Sequence, residues 1–212
     1  MQQSSVSLLP KQLVKCIMTV IQKNLWRSNA MHYEGNKEAR GYSKSVSETE
    51  QLVRANLSKD GKTLDITAGY VKEYGAKDIS KFEFLKDLTS LNLGTNLIGH
   101  QGVKFLAQSK VLVGLISLNL FYNQIGNDGV KYIAVSDNLL SLQNLNLTDN
   151  GITDEGAIFL AKFLPLFTNL TRLDIRYNKI KEEGKEALCK AQEKTSLKHL
   201  LLDKVEGFQV KA

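Results

Sequence analysis

Four stretches decide the fold: LTSLNLGTNLIGHQGVKFL at 88–106, LISLNLFYNQIGNDGVKYI at 115–133, LQNLNLTDNGITDEGAIFL at 142–160 and LTRLDIRYNKIKEEGKEAL at 170–188. They repeat after 27, 27 and then 28 residues, and with Ile allowed for Leu each fits LxxLxLxxNxIxxxGxxxL. Seven fixed positions recurring in four units exclude coincidence, and a period of this length marks a stacked array of one structural unit.

The residue types explain the unit. In Leu91-x-Leu93, Leu118-x-Leu120, Leu145-x-Leu147 and Leu173-x-Ile175 the apolar side chains alternate at period two, so they face inward from a short strand, and stacking makes a parallel sheet. Asn96, Asn123, Asn150 and Asn178 fall at one fixed turn position, where an amide can satisfy main-chain groups of its own and the neighbouring turn. These four are expected to form a structural asparagine ladder. A second apolar rhythm follows, for example Val103, Leu106 and Ala107 after Gly102, or Ala157, Leu160 and Ala161 after Gly156, and it fits one face of a helix of about three turns. Glycine lets that helix approach the turn closely, and Pro165 is placed to stop the third helix.

Working outward, Leu64, Ile66, Val71, Gly75 and Ile79 occupy the same register one period earlier, with Gly69 where the asparagine belongs, and Leu197, Leu200 and Leu202 open one more unit. Degenerate outer units are what terminal repeats look like, since each has one neighbour to pack on. Three segments are expected: a helical N-terminal cap over 1–59, about six repeats over 60–205, and a tail over 206–212. In the first, Leu9, Leu13, Ile17, Ile21 and Leu25 form the stripe of a basic amphipathic helix, with Trp26 in its core. Residues 28–46 read as a loop, followed by a helix from near Ser47 with Glu50 completing a capping box. At the far end, Leu200 to Leu202 read as the last strand, with Val205 and Phe208 folded back over the open edge.

These units resemble the long, ribonuclease-inhibitor-like class of leucine-rich repeats, and are similar to those of NOD-like receptors and Ran GTPase-activating proteins. The resemblance covers roughly two thirds of the chain. It implies an α/β leucine-rich-repeat solenoid: a short right-handed horseshoe arc with a parallel sheet on the concave face and helices on the convex one.

Composition limits the function. The 212 residues are 42% hydrophobic and 24% charged, the balance of a globular protein. The most apolar early run, from Leu8, is interrupted by Lys11, Lys15 and Lys23, so neither a membrane span nor a cleaved signal peptide is expected. The protein is expected in the cytoplasm, or delivered into a host cell without a cleaved signal. Of the net charge of +6, residues 1–46 carry +5, from seven Lys/Arg against Glu34 and Glu38. The repeats are mixed in sign and lack the basic stripe that a nucleic-acid binder needs. Cys16 and Cys189 are far apart and read as small buried hydrophobes. No nucleophile–base pairing, phosphate loop or metal-ligand cluster is legible, and His32, His100 and His199 are dispersed, His100 in a turn. No metal or cofactor is expected.

The reading is therefore a non-enzymatic, monomeric module that binds a partner protein, a scaffold or a bacterial effector. The outward strand positions form columns across the sheet. The first holds Asp65, Asn92, Asn119, Asn146, Asp174 and Leu201, and its amides and carboxylates are expected to hydrogen-bond along the row. The next two hold Thr67, Gly94, Phe121, Thr148, Arg176 and Asp203, then Ala68, Thr95, Tyr122, Asp149, Tyr177 and Lys204. Phe121 and Tyr122 are not required by the repeat. With Asp149, Arg172, Arg176 and Tyr177 they form the candidate protein-binding site, because Tyr and Arg carry much of interface energy. Glu155, Glu182 and Glu183 are expected to face water. The alternative that the resemblance offers is a GTPase-activating protein like the Ran regulators, with Arg40 or Arg176 stabilising charge on the nucleotide.

Overall fold

The computed structural model describes Val20 and residues 45–203. The chain divides into two units, Met1–Arg40 and Gly41–Ala212, and the repeats belong to the second. The helix expected over Leu9–Leu25 (save the exposed Val20), Cys16, Trp26, His32, Arg40, Lys204, Val205 and Phe208 lie outside the described residues.

Among the described residues the order is α1 (Val46–Asn56), β1 (Thr63–Asp65), α2 (Lys72–Ile79), β2 (Ser90–Asn92), α3 (Gly99–Ala107), β3 (Ser117–Asn119), α4 (Gly126–Ala134), β4 (Asn144–Asn146), α5 (Asp154–Phe163), β5 (Arg172–Asp174), α6 (Glu182–Gln192) and β6 (His199–Leu201). The six strands form one parallel sheet in chain order. Each strand is three residues long because the repeat supplies one inward leucine between two outward residues before the chain turns. Leu64, Leu91, Leu118, Leu145, Leu173 and Leu200 pair in sequence across it. The first five of these are fully buried with the second apolar row, Ile66, Leu93, Leu120, Leu147 and Ile175. The helices stack on the other side of this core, and Pro165 stands in a 3-10 turn, Leu164–Leu166, directly after α5.

Successive repeats also cap one another. Asn127 accepts the Thr153 amide at 2.9 Å at the start of α5, and Asp154 accepts the amides of Lys181 and Gly184 at 2.8 and 2.9 Å at the start of α6. This gives the repeat glycine a second role beyond the close turn. A Cβ at Gly156 would stand 2.6 Å from Asn127 Oδ1, and one at Gly184 2.5 Å from Asp154 Oδ1.

The N-terminal end is closed by α1. The capping box lies two residues earlier than the sequence reading placed it: Ser45 caps the helix, its Oγ accepting the Glu48 amide while Glu48 accepts the Ser45 amide. Ser45-x-x-Glu48 and Ser47-x-x-Glu50 are equivalent as patterns; in the folded chain the earlier pair forms the box, and Glu50 is paired with Arg54 at 2.8 Å instead. Leu57 pairs antiparallel with Leu64 on the side of β1 away from β2, so this edge is partly covered. The C-terminal end differs. Leu200 and Leu202 are only half-buried, and Cys189 is exposed, correcting its reading as buried. Cys189 occupies the position of the buried Ala107, Ala134 and Ala161, but among the described residues no helix follows α6 to cover it.

Candidate functional site

The turn after each strand fixes where the sheet-face side chains stand. Asn123 Oδ1 accepts the amides of Asn96 and Ile98 at 3.0 and 3.2 Å, while its Nδ2 donates to the carbonyls of Leu93 and Phe121 at 2.7 and 3.0 Å. Asn150 repeats this one turn on, and Asn178 does so for Asn150 and Ile152. Asn96 ends the series, donating to Ile66 and accepting from Val71. The chain thereby enters a left-handed bend at Ala68, Thr95, Tyr122, Asp149 and Tyr177, with φ between 52 and 59°. Such a conformation costs a non-glycine residue on the order of 1–2 kcal/mol and is held here by the ladder.

The first column behaves differently from expectation. Each of its five Asn and Asp members accepts the amide two residues along its own chain: Asp65 from Thr67, Asn92 from Gly94, Asn119 from Phe121, Asn146 from Thr148 and Asp174 from Arg176. Only one lateral bond, Asn92 Nδ2 to Asp65 at 2.9 Å, joins neighbours in the row among the described residues. A short side chain between two strands reaches its own turn more easily than the next strand, so the row ends the strands rather than linking them.

Across β3, β4 and β5 the sheet face carries a polar groove of about 300 Å³, with Ser117, Asn119, Asn144, Asn146, Arg172 and Asp174 in its wall. Phe121 and Tyr122 rise from the end of β3, 37% and 46% exposed, with ring centres 5.9 Å apart. Phe121 lies beside Gly94, where a Cβ would stand in ordinary contact with its ring at 3.6 Å. Two strands away, roughly 10 Å at ordinary strand spacing, Arg176 and Tyr177 occupy the same columns, with the half-buried Asp149 between. Tyr177 is 67% exposed and its amide donates to Asp203 at 2.7 Å.

Arg176 is already engaged. Its Nε and Nη2 donate to the two carboxylate oxygens of Asp174 at 2.9 and 2.7 Å. Burial pushes the Asp174 carboxyl up, and the guanidinium and amide of Arg176 outweigh it, so the group ionises below its ordinary range. Arg176 therefore stands as one half of a part-exposed ion pair. Arg172 is exposed in the groove wall and makes no ion pair among the described residues.

A profile described as Leucine Rich repeat matches residues 115–134, 138–161 and 168–189, the units whose turns and strands build this face. These units of the chain are leucine-rich repeats. No curated protein matches it. A solved structure titled Leiomodin-1 Actin-Binding Site 2 matches 71% of this chain and 89% of its own, at 16% identity and a TM-score of 0.51, a likeness that shows the fold alone.

On this leucine-rich-repeat face the sequence reading named Arg172 but missed the rest of its column, where Ser117 and Asn144 also line the groove. The signal was available: Ser90, Ser117, Asn144, Arg172 and His199 pair in sequence across the sheet. Of the remaining features, His100 lies in the first turn of α3 rather than in a connecting turn, and His199 is exposed on β6. Among the described residues no group of three or more His, Cys, Asp or Glu could hold a metal ion, and no helix is long and apolar enough to cross a membrane. Glu182 and Glu183 are exposed; Glu155 is exposed too but binds Lys131 at 2.6 Å.

Proposed function

We propose that this protein is a non-enzymatic interaction module that seats a partner protein on its sheet face, with Phe121 and Tyr122 as anchors and the groove over β3–β5 as the polar contact. One observation carries the reading: two adjacent exposed aromatic rings are held by a strained, ladder-fixed turn beside a groove lined with amides and one unpaired guanidinium. Rigid aromatic side chains lose little freedom on binding, and Asn and Arg supply directional hydrogen bonds. Asp149, Arg172, Arg176 and Tyr177 complete the contact surface, Arg176 presenting the outer side of its pair with Asp174.

The 27–28-residue period and a helix in every repeat support placing the units in the ribonuclease-inhibitor-like class. The chain acts as a monomer in a reducing compartment, as a cytoplasmic scaffold or as an effector delivered into a host cell; its Lys- and Asn-rich composition supports the latter. Actin is the first named partner to try, because the leiomodin-1 structure is titled for it.

The experiment pairs wild type with Phe121→Ser/Tyr122→Ser, both verified as folded by circular dichroism, in capture from cell lysate followed by titration of any protein retained. A partner held by wild type and weakened by tenfold or more in the variant supports the surface. Identical retention by both rejects it. Cosedimentation with actin filaments decides actin separately.

A further inference from the structure

The helix side of the solenoid has its own repeat, and it fails at one place. Counting from the glycine in the first turn of each helix (Gly75, Gly102, Gly129, Gly156 and Gly184), the second following position is Lys77, Lys104, Lys131, Ile158 and Glu186, charged everywhere except α5. The third is Asp78, Phe105, Tyr132, Phe159 and Ala187, an aromatic ring in α3, α4 and α5 but a methyl group in α6. In the first two helix seams these positions meet. The Lys77 amine lies 5.4 Å from the centre of the Phe105 ring, and the Lys104 amine 5.7 Å from that of Tyr132. A lysine over the ring of the next repeat covers that part of the seam, although a groove of about 320 Å³ remains beside Phe105 at the end of the first. In the third seam Lys131 turns to Glu155 at 2.6 Å.

Between α5 and α6 both partners of the cover are lost at once. Ile158 stands 37% exposed and Ala187 leaves the volume of a ring unfilled. The result is a groove of about 340 Å³ whose apolar wall is Ile158, Ala161, Ala187 and Ala191. Its charged wall is Lys162, Lys190 and Lys194, with no carboxylate in the lining. Glu186 holds Lys190 at 2.5 Å, while Lys162 and Lys194 are exposed and make no ion pair among the described residues.

From this geometry we infer that the α5–α6 groove is a second docking surface, taking an acidic amphipathic helix of a partner protein. The occupant's bulky apolar side chain fills the space above Ala187 against Ile158, and its flanking Asp or Glu residues face Lys162 and Lys194. An apolar floor with an unbalanced cationic rim selects that chemistry over a neutral or basic helix. This inference does not depend on the sheet face, since Ile158 and Ala187 lie on the other side of the core.

The test uses the full chain and a displayed library of random peptides, with Ile158→Lys/Ala187→Phe as the counter-selected variant. That variant restores the covered seam of the earlier repeats and is expected to keep the fold, which circular dichroism checks. The expected result is enrichment of peptides with Leu, Ile or Phe at three- and four-residue spacing flanked by Asp and Glu. Synthesised, these bind wild type, bind the variant roughly tenfold or more weakly, weaken as salt is raised, and fail on Lys162→Glu/Lys194→Glu. They still bind Phe121→Ser/Tyr122→Ser, which separates this surface from the other. Peptides that do not discriminate wild type from the restored variant, or that are neutral or basic, overturn the proposal. So does a dimer of wild type that Ile158→Lys abolishes, which would assign the groove to a second copy.

Discussion

Replacing Asn123 with alanine tests whether the amide ladder, rather than leucine burial alone, holds the repeats together. The side chain is fully buried and makes four hydrogen bonds to three backbone segments. Phe121 O keeps a partner, because it also accepts the Thr95 amide at 2.7 Å. The amides of Asn96 and Ile98 and the carbonyl of Leu93 lose the partner that Asn123 supplies. A buried backbone group left without a hydrogen bond costs about 1–3 kcal/mol, so the loss at three groups should destabilise by about 3–9 kcal/mol, against a total of roughly 5–15 kcal/mol for an ordinary domain. In a stacked array the loss falls on one interface, so the transition should also broaden or split as the units on either side uncouple. Urea denaturation followed by circular dichroism gives the magnitude, and amide exchange at Asn96 and Ile98 gives the location. Asn178→Ala should cost less, because Asn178 is only half-buried and water can replace part of its bonding. A loss below about 1 kcal/mol with unchanged protection at those two amides would refute the reasoning.

Gln124 is exposed with φ of 56°, in the position that Gly151 fills one repeat later. Gln124→Gly should stabilise by about 0.5–1 kcal/mol, since relief of left-handed strain exceeds the added freedom of the unfolded chain, and a calorimetric Tm below wild type would contradict this. Gly184→Ala should destabilise clearly, because its Cβ would meet Asp154 Oδ1, the cap of α6; unchanged stability in the same scan would show that Asp154 moves aside without loss. The Asp174 carboxyl ionises below its ordinary value of 3.8 in the folded protein, so its contribution is fully present above that value and is lost as pH falls through the folded pKa. Acid titration of stability should therefore be shallower in Asp174→Asn than in wild type below about pH 4, and equal slopes would show that the pair with Arg176 contributes nothing.

Much of this architecture was legible because a repeat states each rule several times. Leu118 and Leu120 alone could begin a strand or a helix, but four copies at one spacing remove the ambiguity. Boundaries were less legible, since Ser45 and Ser47 each precede a glutamate by three residues, and Glu50 is taken by Arg54 one turn on. Contacts that depend on the neighbouring unit in space were not legible at all. Cys189 carries the same local pattern as three buried alanines, and its exposure comes from its place at the end of the described array. Arg176 shows the complementary failure: its column position was read correctly, but Asp174 two residues earlier claims its guanidinium, a short-range pairing that column reading across strands overlooks.

The two candidate surfaces rest on one physical argument. In a solenoid the inward leucines, the ladder asparagines and the helix glycines are each constrained by both neighbours, so substitution there disturbs two interfaces at once. The exposed outward strand positions and the second helix position after the glycine touch a neighbour on one side at most and are less constrained. The chain can therefore place Phe121 and Tyr122 on one face, and exchange a lysine and a ring for Ile158 and Ala187 on the other, without altering the stack. Exposing an isoleucine and two rings gives the isolated fold no stability, since their burial term is gained only when something covers them. Departures from the repeat at less constrained positions, in the direction that disfavours the free protein, are accordingly where a partner is expected to bind.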